Sequence, residues 1–216
     1  IAASSVQIDL NGFMLMGRTN AMNGIYVAPD TNVPPGEFNS QCQISIRNGT
    51  VERWGGWGIN ASNAAHSTIS TIGLFGNGQG GILAGEGCTL SDCASANASG
   101  PGIQASRSAT IRDCKAMDNE GRGIVVGEGS RLTSCTTVNN LSEGIVASGG
   151  TTVNDCKAIH NGLSGIKVDG GARVHASTSV ENGQNGIVLA IYCIARDCLV
   201  MNNTNDGITA NASCYV

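Results

Sequence analysis

The chain has 216 residues and a formal net charge of −4, with 41% hydrophobic, 13% charged and 4% aromatic residues. Such a composition is typical of a folded protein built from small apolar and uncharged polar residues, and it excludes a disordered chain. The sequence has no cationic stripe, no run of 18 apolar residues and no signal peptide in its opening stretch IAASSVQIDL. We therefore expect neither a nucleic-acid partner nor a membrane span.

A Gly-Ile pair recurs along the chain. From residue 81 onward the pairs are 21 residues apart, at Gly81-Ile82, Gly102-Ile103, Gly123-Ile124, Gly144-Ile145, Gly165-Ile166, Gly186-Ile187 and Gly207-Ile208. Two earlier pairs, at Gly24 and Gly58, follow wider spacings. A fixed period of this length indicates a solenoid. We predict a single domain over 1–216, with irregular, loop-bearing coils over 1–80 and regular coils over 81–216.

In the irregular part, the period is stretched at two segments. These are APDTNVPPGEFNSQCQ at 28–43 and ERWGGWG at 52–58, which contains both tryptophans of the chain. Insertions in a solenoid project from one side and are candidate binding loops. Trp54 and Trp57 are candidates to stack on sugar rings, with Glu52 and Arg53 as polar partners. The alternative is that both rings pack beneath the longer loop.

In the regular part, aligned columns of residues predict three short strands per coil. The first strand carries the isoleucines of the Gly-Ile pairs, with a second apolar residue two positions later, which is the alternation of a strand with one buried face. The second strand passes through Leu90, Ile111, Leu132, Val153 and Val174, and the third through Ala96, Met117, Val138, Ile159, Val180 and Met201. No room remains for a helix in each repeat, and leucine is too sparse for a leucine-rich repeat.

Two further columns predict stacked side chains, because each strand of a parallel coil lies about 4.8 Å from its copy in the next coil. One column contains Asn77, Asn119, Asn140, Asn161, Asn182 and Asn203, and the other contains Cys93, Cys114, Cys135, Cys156 and Cys198. We expect a structural asparagine ladder at a corner and a buried, inert thiol ladder. Cys193 and Cys214 share another column and are the best candidates for a disulfide.

A column of aspartates precedes the cysteines, at Asp92, Asp113, Asp155 and Asp197. Stacked carboxylates are able to bind calcium. However, Ser134 and Ala176 interrupt the row, which favours turn residues instead. We therefore predict no metal site and no cofactor, with calcium as the alternative.

The repeat unit, together with VQIDLNGFMLMG and ISIRNGTVERWGGWGI near the start, resembles the right-handed parallel β-helix proteins of the pectate-lyase-like superfamily, in particular the NosD-like group with parallel β-helix repeats. The resemblance implies an all-β fold, a three-sheet solenoid with about 21 residues per coil. It also implies an exported protein, located extracellularly or at the cell surface, that acts on polysaccharide, binds it, or serves as a passive structural element.

The sequence contains no Asp-Pro-His motif, and the outward column next to the isoleucines is mostly apolar. Neither end carries a visible cap, and bare strand edges tend to pair. We therefore predict a non-catalytic structural protein that stacks head to tail on copies of itself. The alternatives are a polysaccharide lyase or C5-epimerase, and a carbohydrate-binding module without turnover.

Overall fold

The computed structural model describes residues 1, 5–29 and 41–216, of which residues 41 and 42 are described by their backbone alone. Most of the predicted binding loop at 28–43 therefore lies outside the described residues. Within the described ranges the chain forms strands and turns and no helix. Accordingly, that part of the chain offers no helix that is long and apolar enough to cross a membrane.

The irregular coils and the coil that follows them contain nine strands. They are β1 (Gln7–Asp9), β2 (Met14–Met16), β3 (Ile25–Tyr26), β4 (Gln41–Cys42), β5 (Ser45–Glu52), β6 (Trp57–Ala61), β7 (Ala64–Ala65), β8 (Thr68–Phe75) and β9 (Gly80–Ala84). The regular coils contain β10 (Thr89–Ser91), β11 (Ala94–Ala96), β12 (Ile103–Ala105), β13 (Thr110–Arg112), β14 (Lys115–Met117), β15 (Ile124–Val126), β16 (Arg131–Thr133), β17 (Thr136–Val138), β18 (Ile145–Ala147), β19 (Thr152–Asn154), β20 (Lys157–Ile159), β21 (Ile166–Val168), β22 (Arg173–His175), β23 (Thr178–Val180), β24 (Ile187–Leu189), β25 (Ile194–Arg196), β26 (Leu199–Met201) and β27 (Ile208–Ala210).

The strands pair in parallel with their copies one coil away and form three faces of a right-handed solenoid of about 8 turns. Face 1 consists of every third strand from β3 to β27. Face 2 contains β1, β10, β13, β16, β19, β22 and β25, and face 3 contains β2, β11, β14, β17, β20, β23 and β26. The long strands β5 and β8 run through the corner between faces 2 and 3 and join them into one sheet. The predicted all-β solenoid is confirmed.

The core consists of in-register stacks of apolar side chains from faces 1 and 2. Ile103, Ile124 and Ile145 on face 1 have no exposed surface, and Leu90 and Ile111 on face 2 are equally buried. These are the columns that the sequence predicts to face inward. Because like side chains lie over like in adjacent coils, each stack forms a continuous apolar core along the solenoid.

The third strand is confirmed, but its inward column differs from the predicted one. The side chains that point into the core are the small ones at the middle position, Ser95, Ala116, Thr137, Ala158 and Ser179, each with 0% exposure. The apolar column from Met117 to Met201 lies on the outer side, half-buried to exposed. Both positions alternate with similarly small or apolar residues, so the pattern alone does not distinguish the two sides.

The glycine of each Gly-Ile pair lies where the coils approach most closely. A Cβ on Gly123 would lie 2.6 Å from the carbonyl oxygen of Gly144 and 2.9 Å from the amide nitrogen of Asn140. The same two kinds of atom crowd Gly144, Gly165 and Gly186. Contacts this short leave no space for a side chain. The recurring glycine is therefore a consequence of close packing beside the asparagine column.

The predicted asparagine ladder is present and hydrogen-bonded. Asn119 Nδ2 donates to Asn140 Oδ1 at 2.8 Å, Asn140 to Asn161 at 2.9 Å, and Asn161 to Asn182 at 3.0 Å. Each Oδ1 also accepts the backbone N–H of the preceding rung, as Asn140 Oδ1 does from Asn119 at 3.2 Å. The ladder thus satisfies buried donors and acceptors at the corner between faces 3 and 1.

The aspartate column forms the turn between faces 2 and 3. Asp92, Asp113, Asp155 and Asp197 all have φ between 52° and 54°, the left-handed region that aspartate tolerates better than most residues. Among the described residues, no group of three His, Cys, Asp or Glu side chains could hold a metal ion. The left-handed turn geometry accounts for aspartate at these four positions.

The cysteines of the ladder are free thiols, and Cys93, Cys114, Cys135 and Cys156 are at most 1% exposed. Cys193 and Cys214, the pair predicted as a disulfide, are free thiols in this structure as well. Cys193 Sγ donates to Asp169 O and Cys214 Sγ to Ala190 O, each 24 residues earlier. The two side chains therefore point in the same direction instead of toward each other.

Candidate functional site

The outer surface of face 1 carries two columns of side chains. One follows each buried isoleucine and reads Tyr26, Asn60, Leu83, Gln104, Val125, Val146, Lys167, Val188 and Thr209. The other lies two positions before the isoleucine and reads Asn23, Trp57, Gly80, Pro101, Arg122, Glu143, Ser164, Asn185 and Asp206. Since successive coils are about 4.8 Å apart, residues far apart in sequence become neighbours here.

A charged cluster lies in the middle of this surface, and we call Arg122, Ser142, Glu143 and Lys167 the face-1 cluster. Arg122 Nε donates to Glu143 Oε2 at 2.9 Å, and Ser142 Oγ donates to the same oxygen at 2.7 Å. Lys167 Nζ lies 3.9 Å from Glu143 Oε1. Three consecutive coils thus hold one carboxylate from three sides.

The electrostatics of the cluster favour an ionised Glu143, which is only 7% exposed. Burial raises the pKa of this carboxyl, but the hydrogen bonds from Ser142 and Arg122 outweigh it and the pKa lies below its ordinary value. Arg122 and Lys167 are about half-exposed, at 47% and 48%. Their remaining N–H groups are available to an external acceptor.

Trp57 lies in the same column as Arg122, three coils away, which is about 14 Å. The backbone N–H of Trp57 donates to Asn23 Oδ1 at 2.9 Å, and the half-buried ring covers the backbone of Gly80. The two intervening positions are Gly80 and Pro101, which carry little side-chain bulk. Because the ring covers Gly80, Pro101 is the open position of this column between the ring and the face-1 cluster.

A shallow polar depression of about 250 Å³ adjoins Trp57 at the corner between faces 3 and 1. It is lined by Thr19, Asn20, Ala21, Met22, Asn23, Gly55, Gly56 and Gln79. Asn23 lines the depression and also contacts Trp57, because its Oδ1 accepts the backbone N–H of Trp57. The depression extends the surface of face 1 beyond the tryptophan.

The four residues predicted as a binding group do not converge. Trp54 occupies the asparagine column, where its N–H donates to Asn77 Oδ1 at 3.1 Å, and its indole Nε1 donates to Leu15 O at 3.2 Å. Its ring packs over Gly17 and Gly24. Trp54 is thus half-buried and packed against the core.

Glu52 and Arg53 lie at the end of β5, on the edge of face 3. Their side chains form an ion pair of 3.6 Å with each other. Arg53 has a φ of 59°, which turns the chain away from face 3 before Trp54. Only Trp57 of the predicted group therefore lies on face 1.

The face-1 cluster is absent from the sequence-based prediction. The sequence does contain an indication of this cluster, because Arg122 and Glu143 carry opposite charges and are one 21-residue period apart. The same signal identifies the ion pair between Arg107 and Glu86, of 2.9 Å, on another corner. Charge complementarity between aligned coils, and not only side-chain identity, would have revealed both pairs.

These features define a parallel β-solenoid with a polar and aromatic strip along one face. A family model described as "Right handed beta helix region" matches residues 18–153. Because this match covers more than half of the chain, the protein belongs to the right-handed β-helix family. No curated protein matches the chain in sequence.

Two solved structures are similar to this chain at low sequence identity. The A-module of the mannuronan C-5 epimerase AlgE4 from Azotobacter vinelandii is similar with a TM-score of 0.65 and 14% identity, over 94% of this chain and 71% of that chain. The periplasmic alginate epimerase AlgG has a TM-score of 0.45 and 12% identity, over 96% of this chain and 74% of that chain. At such identities the similarity shows the fold alone.

Proposed function

We propose that this protein binds a polysaccharide along face 1. The observation that carries the proposal is the face-1 cluster, in which Glu143 is held ionised and fixed beside two half-exposed cations. The buried carboxylate holds Arg122 and Lys167 in place, and their remaining N–H groups can donate to hydroxyl or acidic groups of a sugar. Groups that are already held in place lose little entropy when a ligand binds.

Trp57 supports the proposal as a stacking surface. Tryptophan presents a large, rigid apolar face at low entropic cost, and this ring is immobilised on Gly80. Pro101, between the ring and the face-1 cluster, leaves a gap that a sugar unit can occupy. The fold shared with the AlgE4 module, a protein named as acting on mannuronan, adds support for a polysaccharide ligand.

Binding of a polysaccharide panel to matched variants tests this proposal. Glu143→Gln removes the fixed charge of face 1, whereas Glu86→Gln removes a carboxylate from the equivalent one-period pair with Arg107 on another corner. We expect retention of at least one neutral or acidic polysaccharide, a loss of about fivefold or more in affinity for Glu143→Gln, and no change for Glu86→Gln. A lack of retention throughout the panel, or equal effects of the two substitutions, would contradict it.

Turnover of an acidic polysaccharide is a second candidate, because Arg122 and Lys167 flank an outward-facing carboxylate and could neutralise a uronate carboxylate. The products distinguish the possibilities. Unsaturated ends that absorb in the ultraviolet would indicate a lyase, and a change in C5 configuration without chain cleavage would indicate an epimerase. A polymer that is unchanged in both chain length and C5 configuration after prolonged incubation supports binding without turnover.

Head-to-tail self-assembly stays a prediction that is independent of face 1. Sedimentation over a range of protein concentrations tests it directly. Elongating species that grow with concentration would support a structural role, whereas a single monomer peak throughout would contradict it.

A further inference from the structure

Face 2 carries a row of arginines that face 1 does not explain. Arg131 and Arg173 occupy one outward column, and Arg112 and Arg196 occupy the other. All four side chains are exposed. They are distributed over a span of five consecutive coils, and the parallel register aligns them along the solenoid axis.

These arginines differ from Arg47, Arg53, Arg107 and Arg122, each of which has an acidic partner. Arg47, Arg107 and Arg122 each form an ion pair of 2.9 Å across one coil. In the part of the chain that the structure describes, none of the four face-2 arginines forms an ion pair. Their guanidinium donors are therefore directed to solvent, apart from Arg196, which lies 5.4 Å from the ring centroid of Tyr215.

The spacing of the row follows from the register. Thr152 lies between Arg131 and Arg173 in their column, so the two guanidinium groups are two coils, or about 10 Å, apart. In the other column, Thr133, Asn154 and His175 separate Arg112 from Arg196. Positive charges therefore alternate with hydroxyl, amide and imidazole groups.

Acidic groups border the row. Asp113, Asp155 and Asp197 line the corner toward face 3, where Asp197 Oδ2 contacts His175 Nε2 at 3.0 Å, and Glu128 and Asp169 follow face 1 on the other side. Lys115 and Lys157 begin strands of face 3 beyond the aspartates. The surface is thus mixed, with anion-binding positions at intervals and acceptors between them.

This mixture favours one class of polymer. Duplex DNA carries a negative charge about every 1.7 Å along its axis, and the bordering carboxylates would repel so dense a charge. A linear polysaccharide with one carboxylate or sulfate on each sugar has its charges farther apart. Its hydroxyls can donate to the aspartates and the threonines between the arginines.

We propose that face 2 binds an acidic polysaccharide lengthwise, through Arg112, Arg131, Arg173 and Arg196, at a surface separate from face 1. The proposal rests on the proposed function only in taking a polysaccharide as the ligand. Bidentate contacts between guanidinium and carboxylate groups anchor the chain at intervals. Face 2 would thereby add a preference for acidic over neutral polymers.

Double variants of the full chain test the proposal. Arg131→Gln with Arg173→Gln removes two unpaired charges, and the control, Arg47→Gln with Arg107→Gln, removes the same charge from paired arginines. The probes are polymannuronate, a neutral mannan and single-stranded DNA of equal charge, titrated at several salt concentrations. Circular dichroism and thermal unfolding verify the fold of each variant.

We expect the Arg131/Arg173 variant to lose about tenfold in affinity for polymannuronate and to show a weaker salt dependence. The control should stay within about twofold of the wild type, and neutral mannan binding should not change. Equal losses in both variants, or a loss that does not depend on salt, would overturn the proposal. DNA binding as tight as that of polymannuronate would overturn it in favour of a nucleic-acid surface.

The two proposals fail separately. Glu143→Gln reports on face 1 with any ligand, whereas the Arg131/Arg173 variant reports only on acidic ligands. If Glu143→Gln is without effect while the double variant loses polymannuronate binding, face 1 is wrong and face 2 stands. The reverse result leaves face 1 in place and removes face 2.

Discussion

The coils before Gly80 and the coils after it form the same kind of solenoid with different local solutions. After Gly80, the corner between faces 3 and 1 repeats one arrangement except at Ala98: a close-packed glycine lies beside an asparagine that bonds its copy in the next coil. Before Gly80, the long strands β5 and β8 run through one corner, and Trp54 takes the place of an asparagine at another.

The comparison shows what repetition contributes to stability. In the regular coils, a buried polar group finds its partner in an identical group one coil away, so one residue type satisfies the whole column. In the irregular coils, the same column is filled by packing, because the Trp54 ring covers Gly17 and Gly24. Substitutions in this single column therefore compare the stability contributed by the hydrogen-bonded asparagines with that contributed by the packed Trp54 ring.

The largest effect is expected within the ladder. Asn140→Ala removes the acceptor of the Asn119 backbone N–H and Nδ2 and the hydrogen bond that Asn140 Nδ2 donates to Ala116 O, all in a buried setting. We expect a loss of about 4 kcal/mol in the free energy of unfolding, measured by chemical denaturation. Asn205→Ala, in an exposed turn, is the control and should change stability by less than about 0.5 kcal/mol.

Replacing Trp54 with asparagine, the residue of the ladder, should also destabilise the protein. Trp54→Asn extends the asparagine column but removes the ring above Gly17 and Gly24, and we expect a loss of about 3 kcal/mol. Hydrogen exchange should increase mainly in the coils before Gly80. Trp54→Phe, which keeps an aromatic ring, should lose much less, and equal stability of Trp54→Asn and the wild type would show that packing is unimportant here.

The face-1 cluster predicts a smaller effect that depends on pH. The folded-state pKa of Glu143 lies below its ordinary value of 4.5, so its contribution is complete above that pH and is lost as the pH falls through the lower folded-state value. We expect about 1 kcal/mol to be lost on acidification. The stability difference between wild type and Glu143→Gln should shrink over this range, and a constant difference would contradict the ionised carboxylate.

The smallest expected effect is a gain. Ala98 interrupts the column between Asn77 and Asn119, and its N–H already donates to Asn119 Oδ1 at 3.0 Å. Ala98→Asn would offer Asn77 an acceptor and make the ladder continuous, which should stabilise the protein by about 0.5 kcal/mol. Ala98→Ser cannot span the gap and should not show the gain, so equal thermal unfolding of both variants would contradict the explanation.

The 21-residue interval predicts the coils, the strands and the asparagine ladder, because a parallel stack places equivalent positions over one another. The inward side of the third strand is not predictable in this way, since Ser95, Ala116 and Thr137 are as compatible with a core as Met117 and Val138. Column reading also does not reveal the different environments of Trp54 and Trp57. Those depend on a turn at Arg53 that has no counterpart in the regular repeat.

The uniform register has a consequence for how proteins of this kind change in length. Since each coil contacts mainly the coils beside it, duplication of one 21-residue unit among the regular repeats would add a layer of about 4.8 Å and leave every stack aligned. A gain of one residue inside a strand would instead turn its side chains to the opposite side. Evolution or design can therefore lengthen such a rod in whole-coil steps.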